Sequence, residues 1–167
     1  MAKYTKILPQ LNYNGVNITD ITHRLDMLKT VKKYATMYYS VTIDEDATPE
    51  KVAEQYYGTQ DYWWIVCAIN KVIDPFYDWV KRETEVYAYV NKIYEDQDEI
   101  HHYEDAEFIQ YPVQSAEEDR RPITNLEWEI YLNDKMRHIM LLKPNYVAGI
   151  ADEFAKWMRN TKQQFQE

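Results

Sequence analysis

The residues in this sequence that could do chemistry are few, and their spacing offers one candidate metal site. His101, His102 and Glu104 could act as metal ligands together with the distant His138. In a strand, however, adjacent side chains point to opposite faces, so the two neighbouring histidines are not expected to bind one ion. We therefore interpret them as solvated residues of a hairpin and predict that the chain holds no metal.

Nucleophilic and acid–base catalysis find no support in the sequence either. Cys67 lies inside an apolar segment, where burial disfavours the thiolate, so we expect a core thiol. Ser40 and Ser115 are the only serines, and neither lies in a Gly-x-Ser-x-Gly turn. Carboxylates occur in polar runs that offer nothing to raise a pKa for general acid catalysis. We predict no catalytic residue and no cofactor, and so a protein that is not an enzyme.

The composition argues against several classes of partner. The chain has 167 residues with 19 Lys and Arg against 28 Asp and Glu, a net charge of −9. Nucleic acids and anionic membranes both attract basic patches, so an acidic chain is expected to bind neither. The 3 glycines are too few for a glycine-rich phosphate loop. No apolar run is long enough to span a bilayer.

Aromatic residues, by contrast, are abundant, with 16 Tyr and 5 Trp. These side chains are favoured where a surface is buried against a partner while one polar group stays hydrogen-bonded. A tyrosine-rich core is the alternative interpretation. We favour the first and predict that much of the surface lies in interfaces with other proteins.

The first of three predicted segments, residues 1–37, is an N-terminal arm followed by a helix. Residues 1–17 are polar and show no period, which predicts an extended arm. Thr19 or Asp20 is suited to cap the helix that follows. Its apolar face would consist of Ile21, Leu25, Leu28 and Val31.

The second segment, residues 38–80, is predicted to form a strand–helix–helix–strand core. β-forming residues, a Thr-Pro-Glu helix start and a closing glycine are its local signals. In chain order the core consists of a strand over 38–43, a helix from Thr48-Pro49 to Gly58, a second helix that ends at Asn70, and a returning strand over 76–80.

The third segment, residues 81–167, is predicted to add further helices and strands that pack on the core and on neighbouring subunits. The apolar period is clearest in the last helix. The predicted elements are a helix over 82–94, a hairpin of 100–103 with 108–113, a charged loop over 115–122, a helix capped by Asn125, a strand over 137–142 and a helix from Pro144. The fold class is therefore predicted to be α+β.

One set of residues along the chain carries a family resemblance. It consists of Tyr39, Val41, Tyr57, Gly58, Trp63, Trp64, Asn70, Asp74, Pro75, Tyr77, Trp79, Lys143 and Pro144. Up to the asparagine, the pattern resembles the LysM module. The Asp-Pro-x-x-x-Trp continuation and the strand, Lys-Pro and helix at the C-terminal end are similar to a narrower family, the LysM-like baseplate wedge subunit of contractile-tailed (T-even-type) bacteriophages.

This resemblance implies a LysM-like βααβ core and a structural role in the virion. The protein would be a baseplate wedge component of a contractile tail that links adjacent wedges around the hub. The implied partners are the sheath-initiating, lysozyme-like wedge subunit, the large arm-forming wedge subunit and possibly the hub, with six copies in each baseplate. Assembly would take place in the host cytoplasm.

A glycan-binding LysM module that recognises chitin or peptidoglycan is the alternative function. Modules of that kind carry Gly-Asp-Thr and Pro-Gly in their sugar-binding loops, where this chain has Asp46-Ala47-Thr48 and Phe76-Tyr77-Asp78. The bulky rings suit a surface covered by protein, and one Trp of the central pair is expected in the core and the other in an interface. The predicted interface residues are Tyr57, Trp63, Trp64, Asn70, Asp74, Pro75, Tyr77 and Trp79.

Overall fold

The computed structural model describes residues 8, 10–20, 35–117 and 119–164, and for 35 and 157–164 it describes the backbone only. The fold class is α+β, as predicted. The helix expected to follow Thr19 or Asp20 lies outside the described residues. The regular elements, in chain order, are β1 (Gln10–Tyr13), β2 (Val16–Thr19), β3 (Tyr38–Thr42), α1 (Pro49–Tyr57), α2 (Trp63–Ile69), α3 (Glu83–Ile93), β4 (Ile100–Glu104), β5 (Gln110–Tyr111), β6 (Arg121–Thr124), α4 (Asn125–Met136), β7 (His138–Leu142) and α5 (Pro144–Gln164).

These elements fall into two compact units that are interleaved in sequence. Unit 1 draws on the described residues of Met1–Ile43, Ala47–Asp78 and Ile139–Glu167. Unit 2 consists of Asp44–Asp46 and Trp79–His138. The division into segments 1–37, 38–80 and 81–167, made from the sequence, stays a prediction.

Residues 10–19 form a β-hairpin, where the sequence had suggested an extended arm. Asn14 and Gly15 both have positive φ, 51° and 80°, which is the turn geometry that an Asn-Gly pair favours between two strands. β1 and β2 pair in antiparallel register, with Leu11 opposite Ile18. The arm prediction was wrong here because a two-residue turn can close strands too short to show a period.

The first helix of unit 1 begins and ends where the sequence predicted. The Thr48 side chain accepts a hydrogen bond from the Lys51 backbone N–H at 3.3 Å, and Pro49 occupies the first turn, where no N–H partner is needed. Gly58 ends the helix in the left-handed region at φ 72°. These signals are local, so they could be recognised without the rest of the fold.

The returning strand of unit 1 does not lie at 76–80, and that prediction was wrong. Residues 74–78 form turns, and β3 instead pairs with β7, with residues 43–137 between them in sequence. The backbone N–H of Lys143 extends this pairing by donating to the Met37 carbonyl at 2.9 Å. Unit 1 is therefore completed by a strand that follows unit 2 in the chain.

The core of unit 1 lies where α2, β7 and α5 bring apolar side chains together. The Trp64 and Phe154 rings lie 5.3 Å apart between centroids. The apolar period predicted for the last helix is confirmed as far as its side chains are described, because Val147, Ile150 and Phe154 are buried. The buried cluster consists of Leu8, Trp64, Ile65, Leu142, Val147, Ile150, Phe154 and Ala155.

Unit 2 contains a three-stranded antiparallel sheet in the order β5-β4-β6, together with α3 and α4. The hairpin of β4 and β5 is confirmed, but β6 begins within the predicted charged loop. The cap of α4 is Thr124 rather than Asn125. Thr124 and Glu127 form a reciprocal capping box, with Glu127 N–H to Thr124 Oγ1 at 3.2 Å and Thr124 N–H to Glu127 Oε2 at 3.0 Å.

Two asparagine side chains brace the loops of unit 2. The Asn133 amide makes a two-way bond with one residue, accepting from the Lys81 N–H at 2.8 Å and donating to the Lys81 carbonyl at 2.9 Å. Asn125 is buried, and its amide donates to the Asp96 carbonyl at 2.9 Å. These bonds satisfy main-chain groups in segments that belong to no strand.

Candidate protein-interaction site

The eight predicted interface residues separate by their exposure. Trp64 and Trp79 are only 2 % and 4 % exposed. Tyr57 and Trp63 are partly buried and pack against the unit 1 core. Burial raises the pKa of the Tyr57 hydroxyl, and its ring meets Tyr62 edge-on at 6.0 Å. These aromatic residues contribute most of their surface to the chain's own packing. The more exposed of the eight residues are therefore the candidates for contact with another protein.

Asn70 acts as a clamp between the end of α2 and β7. Its amide oxygen accepts from the Met140 N–H at 2.8 Å, while the amide nitrogen donates to the Met140 carbonyl at 2.9 Å. The same nitrogen donates to the Val66 carbonyl of α2 at 2.9 Å. The side chain therefore pairs with β7 as a neighbouring strand would, which gives Asn70 a structural role.

Residues 73–78, which we call the Phe76 turn, are held by two aspartates. The Asp78 carboxylate accepts from the N–H groups of Ile73 and Asp74 at 2.9 and 3.0 Å. The Asp74 carboxylate accepts from the Phe76 N–H at 2.9 Å, and the Asp74 carbonyl accepts from the N–H groups of Tyr77 and Asp78. Because aspartate commonly bonds backbone N–H groups a few residues away, this turn is fixed from within.

The Phe76 turn exposes a cluster of large apolar side chains. Phe76 is 85 % exposed, Ile73 66 % and Tyr77 63 %, and Pro75 is exposed beside them. Several large apolar side chains exposed within one short turn are typical of protein–protein interaction sites. Sequence reasoning included Pro75 and Tyr77 but missed Ile73 and Phe76, although the flanking aspartates of Ile-Asp-Pro-Phe-Tyr-Asp are the signal of a closed turn.

The hairpin histidines are not solvated side chains on opposite faces, as the sequence had suggested. The register of β4 against β6 shifts between Ile100 and His102, which is a β-bulge. The two rings come together, with His101 Nδ1 2.8 Å from His102 Nδ1, and both contact Trp128. His102 is only 6 % exposed, and its Nε2 lies 3.2 Å from Glu104 Oε1.

Within this histidine cluster, packing favours the neutral form of the His101 ring. Burial lowers the pKa of His101, and the neighbouring His102 lowers it further. Among the residues that the structure describes, no three His, Cys, Asp or Glu side chains are grouped to hold a metal ion. We therefore assign the cluster to the packing of unit 2.

Cys67 is a core thiol, as predicted. It is buried in α2, and burial raises the pKa of the thiol to about 12, with the Glu50 carboxylate adding to the effect. A thiol of this kind is protonated at neutral pH.

Within the described ranges, no helix is both long enough and apolar enough to cross a membrane.

The comparison with known proteins points to phage tails. The family model described as base plate wedge protein 53 matches residues 2–129, which is most of the chain and includes both the Phe76 turn and the hairpin of unit 2. No curated protein matches the chain significantly.

Proposed function

The chain belongs to the phage base plate wedge protein 53 family, and from this membership we propose that it joins neighbouring wedge subunits through the Phe76 turn. A structural component of a base plate works by binding other base plate proteins. The observation that supports this particular surface is a turn of fixed backbone that holds Phe76, Tyr77 and Ile73 largely in solvent. A partner that covers them removes apolar surface from water without having to order the turn first.

The size of the expected effect follows from burial. Complete burial of one large apolar side chain stabilises a complex by about 1.5–3 kcal/mol. Loss of Phe76 and Tyr77 together would then weaken binding by roughly a hundredfold or more. Such anchors at the centre of an interface typically carry most of its binding energy.

The finer features of this function come from the family resemblance. We propose that the chain links adjacent wedges around the hub in six copies, and that it contacts the lysozyme-like, sheath-initiating subunit and the large arm-forming subunit. Its role is to bind and not to catalyse. The carboxylates of the Phe76 turn are consistent with this, because Asp74 and Asp78 are engaged with backbone N–H groups of the turn itself.

Co-assembly with the other base plate proteins of the same phage tests the proposal. The variant Phe76→Ser/Tyr77→Ser should keep its far-UV circular dichroism, because both side chains are exposed, and should fail to enter wedge complexes in a co-expression pull-down. Tyr146→Ser, which changes an exposed tyrosine of α5 (42 % exposed), is the matched control and should assemble. Normal assembly by the folded double variant would overturn the proposal.

Glycan titration separates this function from the LysM alternative. Chitotetraose should leave the tryptophan fluorescence of the chain unchanged. Saturable quenching that the Phe76→Ser/Tyr77→Ser variant loses would instead identify the turn as part of a sugar site and replace wedge joining by glycan binding.

A further inference from the structure

Almost all of the net charge of the chain is concentrated in one segment of unit 2. Residues 95–119 contain ten Asp and Glu and no Lys or Arg. The whole chain has 28 acidic and 19 basic residues, so the rest, with 18 acidic and 19 basic, is close to neutral. A field of one sign on a single segment steers an approaching partner of the opposite sign.

The tip of this acidic segment is an apolar turn. In residues 105–109, which we call the Phe108 turn, the Asp105 carboxylate accepts from the N–H groups of Glu107 and Ile109, each at 2.9 Å. Its other oxygen accepts from the Tyr111 hydroxyl at 2.9 Å. Phe108 is 80 % exposed and Ile109 49 %, and the exposed Glu107 precedes them in the turn.

Phe108 is also held in an unfavourable backbone conformation. Its φ is +61°, in the left-handed region that a bulky side chain rarely adopts. The Phe108 N–H donates to the Asp105 carbonyl at 3.0 Å, which closes the turn at this point. Glycine would fit the same backbone without strain, so the phenylalanine side chain is not needed to form the turn.

We propose that the Phe108 turn is a docking knob that enters an apolar pocket rimmed by Lys and Arg on another base plate protein. The apolar tip supplies the buried anchor, and the surrounding carboxylates select a basic rim. This surface is separate from the Phe76 turn, and the inference rests on the family membership and not on the wedge-joining role proposed for that turn.

Charge complementarity decides between the candidate occupants. Nucleic acid and anionic lipid carry the same sign as residues 95–119 and would be repelled. A second copy that offered the same surface would bring two acidic segments together, at an electrostatic cost. A basic protein surface is the class that gains from both the apolar tip and the charge around it.

The two arginines that follow the segment lie at the same end of β4 as the Phe108 turn, since Arg121 is opposite Glu104 in the register of β4 and β6. The Arg120 guanidinium lies 3.7 Å from the centroid of the Tyr111 ring, and its Nη1 is 3.1 Å from Glu117 Oε1. Arg121 pairs with Glu127 at 2.8 Å. Glu107, next to Phe108, is exposed at the tip. Because both arginines are already paired with carboxylates, the exposed carboxylate of Glu107 is the charge that the tip itself offers to a partner.

The decisive variant is Phe108→Gly. The test measures binding of the full chain to each of the other base plate proteins of the same phage, purified singly and immobilised. Removing the side chain should leave the Tm unchanged or raise it, because the left-handed strain is relieved, and should lower affinity for one of these proteins at least tenfold. A clear fall in Tm would show that Phe108 serves the fold, and would overturn the inference.

Reversing one charge at the tip tests the electrostatic part of the proposal separately. Glu107→Lys should slow association with the same protein at least threefold, and raising the salt from 50 to 300 mM should slow the wild type toward the rate of the variant. Glu153→Lys, on exposed α5 surface of unit 1, is the matched control and should have little effect. Association that is independent of salt would exclude a basic rim.

Phe76→Ser serves as the control that separates the two surfaces. If binding is lost with Phe76→Ser and kept with Phe108→Gly for every base plate protein, the Phe108 inference fails and the wedge-joining proposal stands. If binding is instead lost with Phe108→Gly and kept with Phe76→Ser, the docking-knob inference stands and the wedge-joining proposal fails. If none of these proteins binds the wild-type chain, the docking knob is wrong.

Discussion

The two units expose a phenylalanine by the same device and in different surroundings. In the Phe76 turn of unit 1 and the Phe108 turn of unit 2, an aspartate carboxylate accepts two backbone N–H groups and keeps the apolar tip in solvent. Only Phe108 has a left-handed backbone, and only its turn lies in the acidic segment. Exposure of a large ring therefore goes together, in both units, with a turn fixed from within, and the two turns differ in the charge of the segment that carries them.

The units also share a clamp, in which an asparagine amide bonds both main-chain groups of one distant residue. Asn70 pairs with Met140 of β7, and Asn133 pairs with Lys81 in a loop. Asn70 makes one further bond, to Val66 of α2. In both units, therefore, a side chain bonds main-chain groups as a neighbouring strand would, and Asn70 does so with one bond more than Asn133.

The largest effect expected is therefore on the clamps. Asn70→Ala should lower the free energy of unfolding by about 2–3 kcal/mol and Asn133→Ala by about 1–2 kcal/mol, because each leaves a main-chain N–H and carbonyl without their partner. Urea unfolding of the two variants measures the difference. An equal loss would show that the third bond of Asn70 contributes nothing to stability.

A smaller, local effect is expected in the turns. Asp105→Ala removes the acceptor for Glu107 and Ile109, so the amide hydrogens of 107 and 109 should exchange at least tenfold faster. Asp78→Ala should do the same at 73 and 74 and leave the Phe108 turn unchanged. Hydrogen-exchange mass spectrometry of the folded variants measures both. Unchanged exchange in either turn would mean that its backbone is fixed by other contacts.

A pH effect should distinguish unit 2 from unit 1. Because the pKa of His101 is lowered in the fold, the unfolded chain takes up this proton first as the pH falls. Its contribution to stability is therefore present above about pH 6.5, the ordinary value for histidine, and is lost as the pH falls toward the folded pKa. The urea midpoint of the wild type should drop more between pH 8 and 5.5 than that of His101→Gln, and equal drops would exclude this source.

The smallest effect concerns the buried thiol of unit 1. With its pKa raised to about 12, Cys67 should react with Ellman's reagent at pH 8 only after unfolding. The native chain should show less than a tenth of the reaction seen in 6 M guanidinium chloride, followed at 412 nm. Rapid reaction of the native chain would mean that α2 opens readily.

Much of the fold could be predicted wherever its signals were local. The Thr48 cap, Pro49 and Gly58 define α1 within one short stretch, and the apolar period of α5 needs no tertiary information. The pairing of β3 with β7 could not be found in this way, because residues 43–137 separate the two strands and the larger part of that stretch folds as unit 2. The His101 bulge escaped for a related reason, since it depends on how β4 meets β6.

The exposed surface proposed for wedge joining could be predicted from the sequence only in part, for a similar reason. Sequence reasoning found the base plate wedge family, which is confirmed, while the interface role of the aromatic Asp-Pro segment stays a prediction. Hydrophobicity alone could not separate the buried Trp79 from the exposed Phe76, three residues earlier. Phe76 lies within the turn that the Asp78 carboxylate closes through the N–H groups of Ile73 and Asp74, and Trp79 lies just beyond it.

The late position of β7 sets an order of events during synthesis. The ribosome completes the rest of unit 2 before β7 emerges. The edge of β3 that pairs with β7 therefore has no partner strand until then. Open edges invite pairing with other chains, and distant pairings form slowly. We therefore expect a nascent chain stalled before β7, with unit 1 unfinished, to aggregate more readily than the full chain.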